Sequence, residues 1–114
     1  MIINAVDLEL RAADITSVSA YVTWRFFDAQ EKPYIDGVQL RFLQLSGDGS
    51  PASGVPGTTP FIHRDTNFFL LHDLKPETEY RVDLYIIPVH GTAKELVSEK
   101  AVTFRTLPPV QGKT

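Results

Sequence analysis

The stretch Leu74–Pro88, LKPETEYRVDLYIIP, governs how the rest of the chain is read. It opens as a turn, because Pro76 presets its own φ and Glu77-Thr78 offer polar side chains to a loop. From Tyr80 the pattern has period two: Tyr80, Val82, Leu84 and Ile86 share one face, while Arg81, Asp83, Tyr85 and Ile87 share the other. Pro88 lacks an N–H and ends the ladder. The spacing predicts a central strand. It also predicts a buried Tyr80 ring whose hydroxyl returns to the backbone upstream, so that Leu74, Pro76, Tyr80, Val82 and Leu84 are expected to form one structural core.

The flanking segments carry the same period. Val6, Leu8 and Leu10 alternate with Asp7, Glu9 and Arg11, which reads as a first strand, and Asp14–Ser17 marks a turn. Over Val18–Phe26 the expected inward residues are Val18, Ala20, Val22, Trp24 and Phe26, with Ser19, Tyr21, Thr23 and Arg25 outward. Truncating a buried Trp24 to Ala would cost about 3–5 kcal/mol. Phe27–Gly37, broken by Pro33 and Gly37, reads as a loop with Tyr34 and Ile35 against the core edge. Val38, Leu40 and Phe42 then point inward from the next strand.

Ser46–Pro60 is rich in Gly, Ser, Pro and Thr and reads as a mobile surface loop; its glycines lack the Lys-Ser/Thr and the βα setting of a phosphate loop. Phe61–Arg64 is a candidate short edge strand. In Asn67–Leu74, counting back from the turn puts Phe69 and Leu71 inward and Phe68 and Leu70 outward. Further on, Thr92-x-x-Glu95 matches a helix capping box, so a helical turn over Ala93–Val97 competes with a direct run into a last strand. The alternation of Val102 and Phe104 favours the strand. Leu107-Pro108-Pro109-Val110 reads as a stiff exit, giving a domain over residues 1–107 and a linker over 108–114 toward a following domain.

Three of these motifs carry a resemblance. Leu74–Val82 resembles the corner between strands E and F of a fibronectin type III domain, with Tyr80 as its tyrosine corner. Trp24 in Val22-Thr23-Trp24 resembles the buried Trp of strand B, and Val102–Thr106 resembles the closing strand G. The likeness spans about residues 4–107. It departs from the family pattern at Val38, where strand C usually has an aromatic, and in the long segment after strand C. The resemblance implies an all-β, seven-stranded, immunoglobulin-like sandwich of two antiparallel sheets, A-B-E and C′-C-F-G.

Composition narrows the function. The 114 residues suit one domain, and the absence of cysteine excludes disulfides and thiolate metal sites. A formal charge of −3, from 11 basic and 14 acidic residues, argues against a nucleic-acid partner. The longest apolar runs are far short of a membrane span, and MIINAVDLEL has neither the basic nor the long apolar region of a signal peptide. His63, His72 and His90 lack metal-ligand spacing, and no G-x-S-x-G elbow occurs. The expectation is therefore a non-catalytic module with no metal or cofactor.

The resemblance implies a module of a larger receptor or adhesion protein at the cell surface, and leaves an intracellular parent open. The F–G loop reads His90-Gly91-Thr92 where the family's best known loop signal is Arg-Gly-Asp, and Arg64-Asp65-Thr66 lacks the Gly, so integrin binding by that route is not expected. Three uses remain. Tyr21, Phe68 and Leu70, sharing the outer face of the A-B-E sheet, would form an apolar face for a protein partner or a second copy of the chain. Arg41, Arg81 and Arg105, outward on strands C, F and G, would bind a sulfated glycan such as heparan sulfate, in a field diluted by Glu79 and Asp83. Or the module is a spacer that only positions its neighbours.

Overall fold

The computed structural model describes residues 7–46, 56–89, 96–98 and 100–109. Their strands are β1 (Arg11–Ala13), β2 (Ala20–Thr23), β3 (Ile35–Leu45), β4 (Gly57–Thr58), β5 (Ile62–His63), β6 (Phe68–Leu71), β7 (Glu79–Pro88), β8 (Leu96–Val97) and β9 (Val102–Arg105). One sheet has the order β1-β2-β6. The other is built on the long antiparallel pair β3–β7, with β4 and β5 on the free side of β3 and β8 and β9 on the free side of β7. With β4 and β5 taken as a split C′ and β8 and β9 as a split G, this is the expected seven-stranded sandwich of A-B-E and C′-C-F-G.

The core follows the alternation. Tyr80, Val82, Leu84 and Ile86 from β7 meet Ala20, Val22 and Leu71 of the facing sheet, with Trp24, Leu8, Leu10 and Leu74 closing the ends. Trp24 is 3% exposed. At the corner, the Lys75 N–H donates to the Tyr80 hydroxyl at 2.9 Å. Thr106, also buried, joins this turn to the end of β9: its Oγ1 donates to the Lys75 carbonyl and accepts from the Thr78 N–H at 2.9 Å. Pro76 is half-buried and acts as a turn residue, not as part of the packed core.

Several expected details differ. Phe26 is 59% exposed and Phe27 takes the core position at 3%. The β2 ladder ends at Thr23, and Asp28 Oδ1 accepts from the Gln30 and Glu31 N–H groups, so the backbone turns and the period of two slips by one. Val18 is 46% exposed because it precedes the ladder, in a turn whose Thr16 Oγ1 accepts from the Val18 and Ser19 N–H groups. Strand C begins earlier than expected, at Ile35, after a 3-10 turn over Lys32–Tyr34.

The first strand lies further along the chain than its alternation implied, over Arg11–Ala13 instead of Val6–Arg11. Glu9 sits at φ 56° and interrupts the extended chain, so pairing starts at Arg11 although Leu8 and Leu10 remain buried. Val6 lies outside the described residues. Gly57-Thr58, expected within a surface loop, pairs with Phe42 and Arg41 as a strand, while residues 47–55 lie outside the described residues. The edge strand expected in Phe61–Arg64 is present as Ile62–His63. Leu96-Val97 pairs with Ile86-Tyr85 as strand, which removes the helical turn at those two positions; Thr92 and Glu95 lie outside the described residues.

Candidate interaction face

The outer face of the β1-β2-β6 sheet brings Tyr21, Phe68 and Leu70 together. Register places Tyr21 opposite Leu70, and Thr23 opposite Phe68. The Tyr21 and Phe68 rings lie with centroids 6.4 Å apart, tilted by 57°, a favourable edge-on geometry. All three side chains are open to solvent, at 37%, 53% and 37% respectively. Ala13 of β1 lies opposite Tyr21 and adds no bulk over the ring. Alternation makes the patch: Ala20, Val22, Phe69 and Leu71 turn inward, so their neighbours on these strands must turn out.

A fixed ion pair stands just past the patch along β2. Arg25 Nη1 and Nη2 each donate to Glu31 at 3.0 Å, a two-point contact. The hydrogen bond from Arg25 holds the Glu31 carboxyl below the usual carboxylate range, against the opposing effect of burial. The same bond raises the Arg25 guanidinium.

The opposite outer face, on β3, β7 and β9, is charged and internally matched. Arg41 lies over the Tyr85 ring, its Cζ 3.7 Å from the centroid. Arg81 donates to Asp83 at 3.2 Å, and Arg105 stands opposite Glu79 in the β7–β9 ladder. The three arginines are thus on neighbouring strands, as their outward parity required, each beside an acidic or aromatic neighbour. Of the histidines, His63 and His72 lie beside Asp65 and Asp73 on exposed ground, and His90 lies outside the described residues. No group of His, Cys, Asp or Glu among the described residues is arranged to hold a metal ion. No helix among them is long and apolar enough to cross a membrane.

Sequence reasoning missed two polar anchors. Thr59, 5% exposed, accepts from the Leu40 N–H at 3.0 Å and secures β4 beside β3. Arg64 Nη1 donates to the Lys32 carbonyl at 2.8 Å and to that of Ile35 at 3.2 Å, tying the segment after β5 to the 3-10 turn. Neither has a local signal, since each partner is at least 19 residues away. The Phe26/Phe27 exchange did have one: Asp28 followed three residues later by Glu31 marks where a strand should stop.

The architecture aligns closely with solved domains. A fibronectin type III domain of human collagen XX superposes with a TM-score of 0.64 at 19% identity, over 93% of this chain and 100% of that one. The chain has the fibronectin type III fold. The FN5 domain of Drosophila Lar shares this fold with a TM-score of 0.64 at 20% identity, covering 94% of this chain and 100% of that one. A segment of chicken tenascin with two type III domains matches at 0.61 and 22% identity, over 89% of this chain and 47% of the segment. No family model and no curated protein matches the sequence. In type III terms β6 and β7 flank the E–F corner, and the Tyr21–Phe68–Leu70 face is the outer side of the A-B-E sheet.

Proposed function

We propose that this type III module is a non-catalytic protein-interaction domain of a larger cell-surface receptor or adhesion protein, and that it meets its partner through Tyr21, Phe68 and Leu70. The observation that carries the reading is the contrast between the two outer faces. On β3-β7-β9 the arginines are beside Asp83, Glu79 and the Tyr85 ring, whereas on β1-β2-β6 two aromatic rings and a leucine lie open in one patch. Amphipathic aromatics grouped in this way are the usual anchors of an interface. The same contrast favours a protein over a sulfated glycan and over a pure spacer role, in which neither face would need to be apolar. The tenascin segment, with two such domains in series, supports reading the module as one of a tandem.

The test is site-specific photo-crosslinking in the parent protein on cells. A crosslinker at Leu70 is expected to give one discrete protein adduct, lost in the double variant Tyr21→Ser/Phe68→Asp whose melting temperature stays within a few degrees of the wild type. An adduct that survives the double variant, or one that forms only from a crosslinker at Thr103 on the other sheet, refutes the assignment of this face.

A further inference from the structure

We propose that β6 is an acceptor edge: an extended segment of a partner protein pairs with it as a fourth strand of the β1-β2-β6 sheet and sets one apolar side chain into the cleft beside it. The inference rests on the face reading above and names how that face is engaged.

The backbone supplies the first observation. Among the described residues β6 has β2 on one side and no strand on the other. The Trp24 N–H donates to the Asn67 carbonyl, and the register continues through Val22 opposite Phe69 and Ala20 opposite Leu71. Bonded and non-bonded pairs alternate in an antiparallel ladder, so Asn67, Phe69 and Leu71 direct their N–H and C=O groups to β2. Those of Phe68 and Leu70 point off the edge. The edge is Phe-Phe-Leu-Leu, with none of the charge, proline or bulge that ordinarily blunts such a strand.

The second observation is the space alongside. A cleft of about 150 Å³ opens between β6 and β4, lined by Phe42, Thr58, Pro60, Phe69 and Leu71. Thr58, Thr59 and His72 add polar atoms to a wall that is mostly apolar, and a space of that volume suits a group about the size of benzene. A strand laid on β6 would turn alternate side chains into this cleft and, on the other side, onto the patch of Phe68 and Leu70.

The occupant is a free segment and not a second copy. A second copy pairing through its own β6 would have Phe69 and Leu71 already packed on its own core, leaving the cleft unfilled. The open surface of Tyr21, Phe68 and Leu70 is on the order of 250 Å², well below the ~800 Å² per partner of a stable interface. A strand that also makes backbone bonds does not need that area. Asp73, beside His72 and with its side chain 92% exposed, stands just past the end of β6 and favours a basic residue at that end of the segment, whereas Asp65 before β6 is already paired with Lys32 at 3.3 Å.

The probe is the peptide acetyl-Lys-Ser-Val-Leu-Val-Ser-Lys-amide, with two analogues N-methylated at alternate residues in the two possible phases. The parent peptide is expected to bind with a dissociation constant below about 1 mM, and to slow amide exchange at Phe68 and Leu70 at least about tenfold at saturation. One N-methyl analogue should match the parent, since its methyl groups face away from β6, and the other should lose at least about tenfold in affinity. Equal binding by both analogues, or unchanged exchange at Phe68 and Leu70, overturns strand addition, as does no binding of the parent peptide at about 1 mM. Those outcomes leave the face reading standing, because it fails separately if the Tyr21→Ser/Phe68→Asp variant keeps the Leu70 adduct.

Discussion

The Phe61 ring lies directly over Gly37, so close that a Cβ built on Gly37 would stand 2.5 Å from Phe61 Cζ and 2.3 Å from the Ile62 carbonyl oxygen. A cross-strand aromatic covering a strand glycine in this way shields the backbone where no side chain can. It also explains why Phe61 is half-exposed yet held against β3. The same arrangement recurs between Phe42 and Gly57, where a Cβ would stand 2.4 Å from the ring.

The two glycines are expected to respond differently to alanine. At Gly37 a backbone oxygen blocks the added methyl, so Gly37→Ala should cost about 2–3 kcal/mol or more. At Gly57 the obstruction is the far end of the Phe42 side chain, which can swing toward the neighbouring cleft, so Gly57→Ala should cost about 1 kcal/mol. Urea unfolding of both variants checks this; equal midpoints would show that the Ile62 carbonyl yields as easily as a ring.

The corner hydrogen bond has a measurable worth. Tyr80→Phe leaves the Lys75 N–H without its acceptor and should lower stability by about 1–2 kcal/mol with an unchanged denaturant slope. Thr106→Val removes the bonds of the buried hydroxyl to the same turn and should cost a similar ~1–2 kcal/mol. Because the two side chains hold one turn, the double variant is expected to lose less than the sum of the singles. Strict additivity would mean that the turn keeps its shape when either clamp is removed.

Glu77 adopts φ 49°, a left-handed conformation in the Pro76-Glu77 turn that costs an L-residue roughly 1–2 kcal/mol. Glycine adopts it freely, at some cost in unfolded-chain entropy. Glu77→Gly is therefore expected to stabilise the domain by about 0.5–1 kcal/mol, read as a rise in melting temperature. A fall in melting temperature would place another role on that carboxylate.

The Arg25–Glu31 pair predicts a pH dependence. The folded-state Glu31 value lies below the unfolded one, so its contribution is complete above the ordinary glutamate value of about 4.3, and is lost as pH falls through the depressed value. Glu31→Gln should be less stable than the wild type by about 0.5–1.5 kcal/mol at neutral pH. That gap should close toward about pH 2. Unfolding curves at both pH values decide it, and a gap that persists unchanged in acid would rule out the charge as its source.

Most of the β-sheet plan could be read from local pattern. In Tyr80–Ile86 a period of two needs nothing beyond neighbouring residues, so the inward set emerged correctly, and Pro76 before Tyr80 located the corner that Lys75 then completes. The candidate face was legible for the same reason, because outward parity at Tyr21, Phe68 and Leu70 is the complement of inward parity at Val22, Phe69 and Leu71. Parity failed where the backbone leaves the ladder. At Phe26-Phe27 the Asp28 turn shifts the phase, and no count along the strand can register a change of direction that lies just beyond it.

The period of two, together with the resemblance carried by Trp24 and Leu74–Val82, was enough to foresee an all-β domain, its buried indole and its outward apolar residues, since alternation is set between a residue and its immediate neighbours in sequence. Folding in three dimensions settled what depends on distant pairs: Tyr21 beside Leu70, Gly57 beneath Phe42, Thr106 closing on Lys75, and the edge of β6 beside its cleft. These partners lie far apart along the chain, and only the pairing of distant strands and the closure of the turns between them bring them within reach.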